Sequence, residues 1–376
     1  MKLEKHHIIT IGKENLSIFH GLKELHPDTV HFLLTEQTAN HHLPIVDLLS
    51  ERFTWKTYMV HPYDGHSVEQ ACEMIHSTHK GEFCYNLSEG TKIMTVAALN
   101  VAKRHEAKAL FITQTGELVD LLSFDATPLN SPLSNTEILN LSGSRLWTYE
   151  NVRRMSLSDF QTSQRIKEFI ERYNDEYSRI QSFFRHNCRR KISCLPVKFR
   201  VGNDLRVNAS KGRILVHRHG LPLLNLSHTN SAFLMFGGRW WEALVAAQVK
   251  QWTNQQEQKV EAWHSVIFQS ETNKDAVKNE VDLLINNNNN LIFLECKSGH
   301  ITQEDVYKMD SVREIYGGDS SIAALASYYP LNEQIQEKCD NLGIQVFAPA
   351  HRSQLKDFIN TLPEWLTKIS KSFIIS

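Results

Sequence analysis

The N-terminal part of the chain alternates short apolar runs with helical patterns, and this alternation constrains the fold more than any other feature. Apolar runs at 6–12 and 29–38 have the length of strands, whereas 68–79 is amphipathic and 91–105 is rich in helix-forming residues. Strands that alternate with helices of this length predict a parallel, doubly wound α/β sheet. We therefore expect an α/β domain over residues 1–145.

The length of the chain calls for a second domain. At 376 residues, the chain exceeds what a single hydrophobic core usually supports. Residues 146–195 are mostly helical and strongly charged, which we interpret as a helical connector, and residues 196–376 return to α/β patterning.

A helix is predicted at 237–252 within this last part of the chain. One face of it carries the apolar residues Trp241, Leu244, Val245, Val249 and Trp252.

Composition excludes several classes of protein. The formal net charge is −1, so any contact with nucleic acid must rest on local basic patches. The six cysteines form no CxxC pair, which argues against a zinc site or a disulfide framework built from them. We find neither a signal peptide nor an apolar run of the roughly 18 residues that a membrane span needs, and we expect a cytoplasmic protein.

The histidine pairs at 6–7 and 41–42 lack the i, i+4 spacing of a helical metal pair, and we interpret them as polar loop and strand-end residues.

Two apolar runs flank five consecutive asparagines at 286–290. Asparagine tolerates the positive φ of tight connections, so this run predicts the turn of a hairpin. On the second strand, Glu295 and Lys297 share one face because side chains alternate. A five-residue turn places Asp282 opposite Leu294, and a turn one residue shorter places it opposite Glu295. Either register brings the two carboxylates to the same end of the hairpin.

Carboxylates and a lysine at one place can support hydrolysis of a phosphodiester. Oxygen ligands from two carboxylates can hold magnesium or manganese, and such an ion lowers the pKa of a bound water. The lysine can orient or deprotonate that water, or neutralise charge in the transition state. The alternative is a salt-bridged strand end, which is the usual role of an isolated Glu-x-Lys. Charged groups inside an apolar strand are nevertheless costly unless they are paired or used.

The pattern EVD…LECK resembles the core motif of the PD-(D/E)xK nuclease superfamily, which has a restriction-endonuclease-like α/β fold. The resemblance covers about residues 230–350, and it implies a nuclease-like domain over 196–376. It implies that Lys297 is the catalytic lysine and that Asp282, Glu295 and the carbonyl of Cys296 ligate the metal. Glu242 would complete the metal shell or hold a ligating water. The sequence departs from the motif at Val281, where the superfamily often has proline.

A second candidate site follows the apolar run at 82–88, where the sequence NLSEGTK leads into a helix. Backbone N–H groups at a helix N-terminus favour an anion, and open α/β sheets bind ligands at the carboxyl ends of their strands. The residues expected to border this crevice are Thr10, Gly12, Lys13, Thr35, Gln37, Asn86, Ser88, Gly90, Thr91, Lys92 and Gln114. The alternative is an ordinary helix cap with no ligand. Neither GxGxxG nor GxxxxGK[ST] is present, which argues against a dinucleotide or P-loop site.

NLSEGTK resembles the N-x-[ST]-x-G-T-K signature of CRISPR-associated Rossmann-fold (CARF) sensor domains. The resemblance implies a Rossmann-like domain that binds a cyclic oligoadenylate across the two-fold axis of a homodimer. Glu89 departs from the glycine that is common at its position. A negative charge near phosphates must point away or be paired, or else it weakens ligand binding.

A CARF-like half followed by a nuclease-like half is similar to the CRISPR-associated sensor nucleases activated by cyclic tetra-adenylate. This implies a metal-dependent endonuclease of type III CRISPR antiviral defence that uses manganese or magnesium and cuts DNA, RNA or both. Three alternatives remain open at this point. They are a ligand-responsive nucleic-acid-binding regulator without cleavage, a messenger-independent repair nuclease, and a sensor that also degrades its own ligand.

Overall fold

The computed structural model describes residues 3–49, 51–113, 116–210, 212–256, 260–269, 277–318 and 321–372. The chain divides into two compact units. Unit 1 comprises Met1–Arg145, Asn286–Asn290 and Tyr316–Ser320. Unit 2 comprises Leu146–Ile285, Leu291–Ile315 and Ser321–Ser376.

Unit 1 is built on a sheet with strand order β3-β2-β1-β4-β5-β6-β7. Its strands are β1 (Lys5–Thr10), β2 (Thr29–Leu34), β3 (Thr54–Met59), β4 (Glu82–Asn86), β5 (Lys108–Ile112), β6 (Glu117–Asp120) and β7 (Ala126–Pro128). The five strands β1 to β5 pair in parallel, and β6 and β7 pair antiparallel at the β5 edge of the sheet. The α/β sheet expected from the alternating pattern is thus confirmed.

Helices cover this sheet, and they are α1 (Leu16–Leu25), α2 (Leu43–Leu49), α3 (Gly65–Thr78), α4 (Lys92–Arg104) and α5 (Asn135–Leu141). Nearly every residue of β1 and β2 is buried, as in parallel strands that are covered on both faces. The strand order reverses between β1 and β4, so the loops that follow these two strands border the crevice where open α/β sheets bind ligands.

Unit 2 begins with β8 (Leu146–Asn151) and has a mixed sheet with strand order β17-β16-β15-β14-β13-β8. The other strands of this sheet are β13 (Val260–Gln269), β14 (Val277–Asn287), β15 (Asn290–Lys297), β16 (Ile322–Ser327) and β17 (Gln345–Phe347). An antiparallel sheet has the order β12-β11-β10-β9, formed by β9 (Lys198–Val201), β10 (Leu205–Ser210), β11 (Arg213–Arg218) and β12 (Leu221–Ser227). The helices are α6 (Leu157–Arg172), α7 (Asn174–Asn187), α8 (Ser231–Gly237), α9 (Arg239–Gln255), α10 (Gln303–Gly317), α11 (Glu333–Asn341) and α12 (Leu362–Ser372).

Residues 146–195 do not stand apart as a helical connector. Strand β8 pairs antiparallel with β13, and the apolar faces of α6 and α7 bury Phe169 and Ile180 in the main core of unit 2. The charges that suggested a connector belong to the solvent-facing sides of these two amphipathic helices.

Helix α9 runs through the same core. The predicted apolar face is confirmed, since Trp241, Val245, Val249 and Trp252 are all buried. The indole N–H of Trp241 donates to the Ala326 carbonyl on β16 at 2.8 Å, which ties the start of the helix to the sheet. Among the described residues, no helix combines the length and apolar character that crossing a lipid bilayer requires.

Candidate functional site

The hairpin that carries the candidate acids turns more tightly than the asparagine run suggested. Strand β14 ends at Asn287 and β15 begins at Asn290, which leaves Asn288 and Asn289 as the turn. Both have positive φ, at 52° and 68°, as the type I′ turns favoured in two-residue hairpins require. Counting back along a regular ladder from this turn places Asp282 opposite Glu295. The five-residue turn expected from the sequence is therefore wrong, because the outer asparagines continue the strands.

Asp282 is held against the neighbouring strand. One of its carboxylate oxygens, Oδ2, accepts the backbone N–H of Cys296 at 2.7 Å. Burial raises the pKa of Asp282 well above its usual range, and the charges of Glu295 and Glu242 raise it further. A buried carboxylate with acidic neighbours is costly in the charged form, and a bound cation would offset that cost.

Lys297 lies between two carboxylates. Its ammonium group is 2.8 Å from Oε1 of Glu295 and 3.4 Å from Oδ1 of Asp305. Burial alone would lower the pKa of Lys297, but the adjacent Glu295 and Asp305 carboxylates raise it above its usual value. The side chain is therefore a fixed hydrogen-bond donor with a positive charge.

Asp305, which was not among the predicted site residues, lies in the first turn of α10. The backbone N–H and the hydroxyl of Thr302 donate to its Oδ2 at 2.9 and 2.7 Å, which holds the carboxylate in place. The T-x-x-D pattern of a helix cap was visible in the sequence. Its contact with Lys297 depends on how α10 packs against β15, and no local pattern reports that.

Glu242 enters the same region from the first turn of α9. Gly238 is the N-cap residue directly before this helix. Its φ of 78° suits glycine, and a Cβ there would lie 2.9 Å from the hydroxyl of Ser298. Burial raises the pKa of Glu242 to about 7; Arg239 opposes this shift, while Glu295 adds to it. Glu242 and Asp282 line a cavity of about 290 Å³ together with Arg239, Ala243, His264 and Ser265.

The donors present fit a hard divalent ion. Carboxylate oxygens of Glu242, Asp282 and Glu295 are the ligands that magnesium and manganese prefer, and the charges of Glu295 and Glu242 both act on Asp282. The three do not form a compact set in which all ligand atoms lie within 4.8 Å of one another. Cys296 has a buried thiol, and ligation through its carbonyl stays a prediction.

The second candidate site lies in unit 1 where β1 and β4 end. The Thr10 hydroxyl donates to the carbonyl of Glu89, so the two loops touch. A Cβ on Gly90 would lie 3.0 Å from that of Thr10, and Gly90 has a φ of 94°, so glycine is required there. A Cβ on Gly12 would meet the Glu89 carboxylate and the Gly90 amide. The structure thus brings Thr10, Gly12 and the 86–92 loop together.

Several of the expected crevice side chains are engaged in local structure. Asn86 Oδ1 accepts from the backbone N–H and the hydroxyl of Ser88, and Ser88 Oγ also accepts from the amide of Ile112. Thr91 caps α4 by accepting from the amide of Met94. These contacts match the helix-cap alternative, and they engage the hydroxyls of Ser88 and Thr91 within the chain.

The remaining crevice residues differ in exposure. Thr35 is buried and caps a short turn after β2, whereas Gln37, Lys13 and Lys92 are exposed. Gln114 lies outside the described residues. The exposed lysines supply positive charge at the end of the sheet where the α4 N-terminus also lies.

Glu89, which departs from the CARF-like signature, folds over Gly12 rather than out into solvent. Burial raises its pKa to about 7, and the nearby Glu14 carboxylate adds to the shift. The side chain therefore changes charge near neutral pH, beside the expected anion site.

Comparison with known families places the C-terminal site in a defined domain. Residues 229–367 match the family model of the Card1-like endonuclease domain. This match covers the part of the chain that holds Glu242, Asp282, Glu295 and Lys297. Within the nuclease-like half expected from the sequence, residues 229–367 are therefore similar to a Card1-like endonuclease domain. No match was found among curated protein sequences.

Solved structures share the fold over almost the whole chain. Can2 from Sulfobacillus thermosulfidooxidans, solved in complex with cyclic tetra-adenylate, is 18% identical, with 98% of this chain and 99% of Can2 covered at a TM-score of 0.73. VC1899 from Vibrio cholerae is 18% identical, with 96% and 98% covered at a TM-score of 0.72. A type III CRISPR defence DNA nuclease activated by cyclic oligoadenylate is 14% identical, with 88% of this chain and 47% of that chain covered at a TM-score of 0.53. At these identities the similarity establishes the fold alone.

Proposed function

We propose that this protein is an endonuclease of type III CRISPR defence that a cyclic oligoadenylate activates and that depends on a divalent metal. The observation that carries the proposal is the position of the Asp282, Glu295 and Lys297 cluster inside the Card1-like endonuclease domain. Cyclic tetra-adenylate is the proposed activator, because Can2, which shares the fold over the whole chain, was solved with it.

In the proposed site, Glu242, Asp282, Glu295 and the Cys296 carbonyl would hold manganese or magnesium. When bound, such an ion supplies an activated water and stabilises charge on the phosphate. Lys297 is held as a donor between Glu295 and Asp305, and this position suits it to neutralising negative charge on the scissile phosphate. The site then needs a nucleic-acid substrate, which is DNA, RNA or both.

In unit 1, the messenger would bind at the ends of β1 and β4. Backbone amides of the 86–92 loop, the N-terminus of α4, Lys13 and Lys92 would contact its phosphates. A homodimer would present the same loop twice to a nearly symmetric ring. Preferential binding to one arrangement of the dimer would shift the population towards the cleavage-competent form.

The site assignment is tested by cleavage assays with manganese, cyclic tetra-adenylate and four substrates: single- and double-stranded DNA and RNA. Asp282→Ala and Lys297→Ala should each lower the cleavage rate by about 100-fold or more, the scale expected when one group that stabilises charge is removed. Glu304→Ala and Lys356→Ala are matched controls at exposed positions of unit 2, and they should cleave at the wild-type rate. Cleavage by Asp282→Ala or Lys297→Ala at the wild-type rate would contradict the assignment of these residues to the active site.

A ligand-responsive regulator that binds nucleic acid without cutting it is the second candidate. The three acids do not form one compact ligand set, and this observation favours it. Affinity for nucleic acid that increases with the messenger, with no cleavage in magnesium or manganese, would select this candidate over the nuclease.

A further inference from the structure

Unit 1 contains a group of histidines that neither proposed site uses. Between them, His6 in β1, His31 in β2 and His79 directly after α3 offer ligand atoms that all lie within 4.8 Å of one another. The first two side chains are fully buried. Ring centroids are 5.3 Å apart for His6 and His31, and 4.9 Å apart for His31 and His79. Three imidazoles from three different elements thus converge on one point.

The spacing of the rings suits a shared ion. Nδ1 of His6 lies 3.2 Å from Nε2 of His31. Two nitrogens bound to one tetrahedral zinc ion, at about 2.0–2.1 Å each, lie roughly 3.3 Å apart. Nε2 of His6 is buried and has no hydrogen-bond partner among the described residues.

Two side chains lie near the ring nitrogens of His31 and His6 that point away from the shared position. The hydroxyl of Tyr58 lies 3.3 Å from Nδ1 of His31, where it can accept the ring proton and leave Nε2 as the ligand atom. The Glu4 carboxylate lies 3.7 Å from Nε2 of His6. Partners of this kind orient the histidine ligands of known metal sites.

One neighbouring charge opposes a cation. The ammonium group of Lys56 lies 3.2 Å from Nε2 of His79. Lys56 is exposed, so its flexible side chain can move into solvent when an ion binds. His79 itself is partly exposed and lines a cleft of about 600 Å³.

We propose that His6, His31 and His79 form a transition-metal site in unit 1, with Zn²⁺ as the ion that fits best and water as a fourth ligand. Imidazole ligands suit zinc, copper and nickel, and three of them with an open position form a known zinc geometry. His6 precedes Thr10 by four strand residues, so the site lies about 13 Å along β1 from the messenger crevice. It is therefore a separate site, and it does not depend on the proposed nuclease function.

The test uses full-length protein that has been stripped with a chelator, loaded with ZnCl₂ and dialysed to equilibrium, with bound zinc measured by mass spectrometry. The wild-type protein should bind one more zinc ion per chain than either the His79→Ala or the His31→Gln variant. The same difference should persist in an Asp282→Ala background, where the proposed nuclease site is impaired. His105→Ala removes a histidine from the same cleft but outside the trio, and it should keep the wild-type zinc content.

Circular dichroism would check that each variant is folded. A second measurement does not rely on the trio variants: X-ray absorption of zinc-loaded Asp282→Ala protein should show imidazole nitrogens at about 2.0–2.1 Å. Equal zinc content in the wild type and in folded trio variants would overturn the proposal. So would the absence of bound zinc, or a shell of oxygen ligands alone, in the Asp282→Ala protein.

Discussion

At the scale of single residues, the structure explains two side chains that the sequence left unresolved. Glu89 folds over Gly12 with a pKa of about 7, so it is neutral on the acid side of neutrality. Asp305 joins Glu295 in holding Lys297. Both effects depend on partners that are distant in the sequence, which is why composition and spacing predicted Lys297 and Glu295 but neither of these roles.

Messenger affinity should fall as the pH rises through about 7. Below that pH the Glu89 carboxyl is protonated because burial raises its pKa, and above it the carboxylate repels the phosphates. Titration of cyclic tetra-adenylate by calorimetry should show affinity several-fold weaker at about pH 8 than at about pH 6. Glu89→Gln should remove this dependence, whereas Glu82→Gln, at the other end of β4, should keep it. A wild-type dependence in Glu89→Gln would contradict the role given to Glu89.

Asp305→Asn should slow cleavage by less than Lys297→Ala does. The change removes one of the two carboxylates that hold the ammonium group, while Glu295 at 2.8 Å still positions it. Single-turnover cleavage rates at saturating manganese would measure the effect. A rate for Asp305→Asn as low as that of Lys297→Ala would show that Asp305 has a more direct role than positioning.

At the scale of elements, the hydrophobic period predicted most of unit 1 but not every element. Helix α3 was predicted from its amphipathic pattern and α4 from its content of helix-forming residues. Strand β8 was assigned to a helical segment, since its partner β13 is more than one hundred residues away and the charged helix α6 follows it. The histidine trio was also missed, because an i, i+4 rule applies to one helix and these ligands come from three elements.

The asparagine run at 286–290 forms the hairpin turn and also makes buried hydrogen bonds with its side chains. The amide of Asn286 donates to the Leu133 carbonyl at 2.8 Å, and the side-chain oxygen of Asn289 accepts the Leu133 N–H at 2.9 Å. The side-chain nitrogen of Asn289 lies 3.2 Å from Nδ1 of His20. These groups are buried in unit 1, so hydrogen bonds fix the side chains of both Asn286 on β14 and Asn289 in the turn.

Asn289→Ala should destabilise the protein by about 1–3 kcal/mol, because it leaves the buried Leu133 N–H without its partner and disfavours a positive φ. Urea denaturation would measure the loss. Asn289→Gly permits the φ but lacks the side chain, so it should recover only part of the loss. Asn287→Ala, in the same run but half-buried, should change stability little. Equal stabilities for all three variants would contradict the role given to the side chain.

At the scale of the whole molecule, the sequence predicts a sensor-like half followed by a nuclease-like half, and the family match covers residues 229–367 of the second half. The first compact unit runs from the N-terminus to Arg145 before the chain enters the second unit. What no sequence pattern reports is that Asn286–Asn290 and Tyr316–Ser320 cluster with unit 1 although the chain around them belongs to unit 2. Which compact unit such a short segment joins depends on tertiary packing alone.

The central claim is that a cyclic oligoadenylate controls cleavage by the Card1-like domain. The most direct measurement is the cleavage rate of the wild-type protein with manganese, as a function of added cyclic tetra-adenylate, with linear tetra-adenylate as the control. We predict cleavage that rises to saturation with the cyclic messenger and stays at background with the linear one. Cleavage at the same rate without any messenger would contradict the claim.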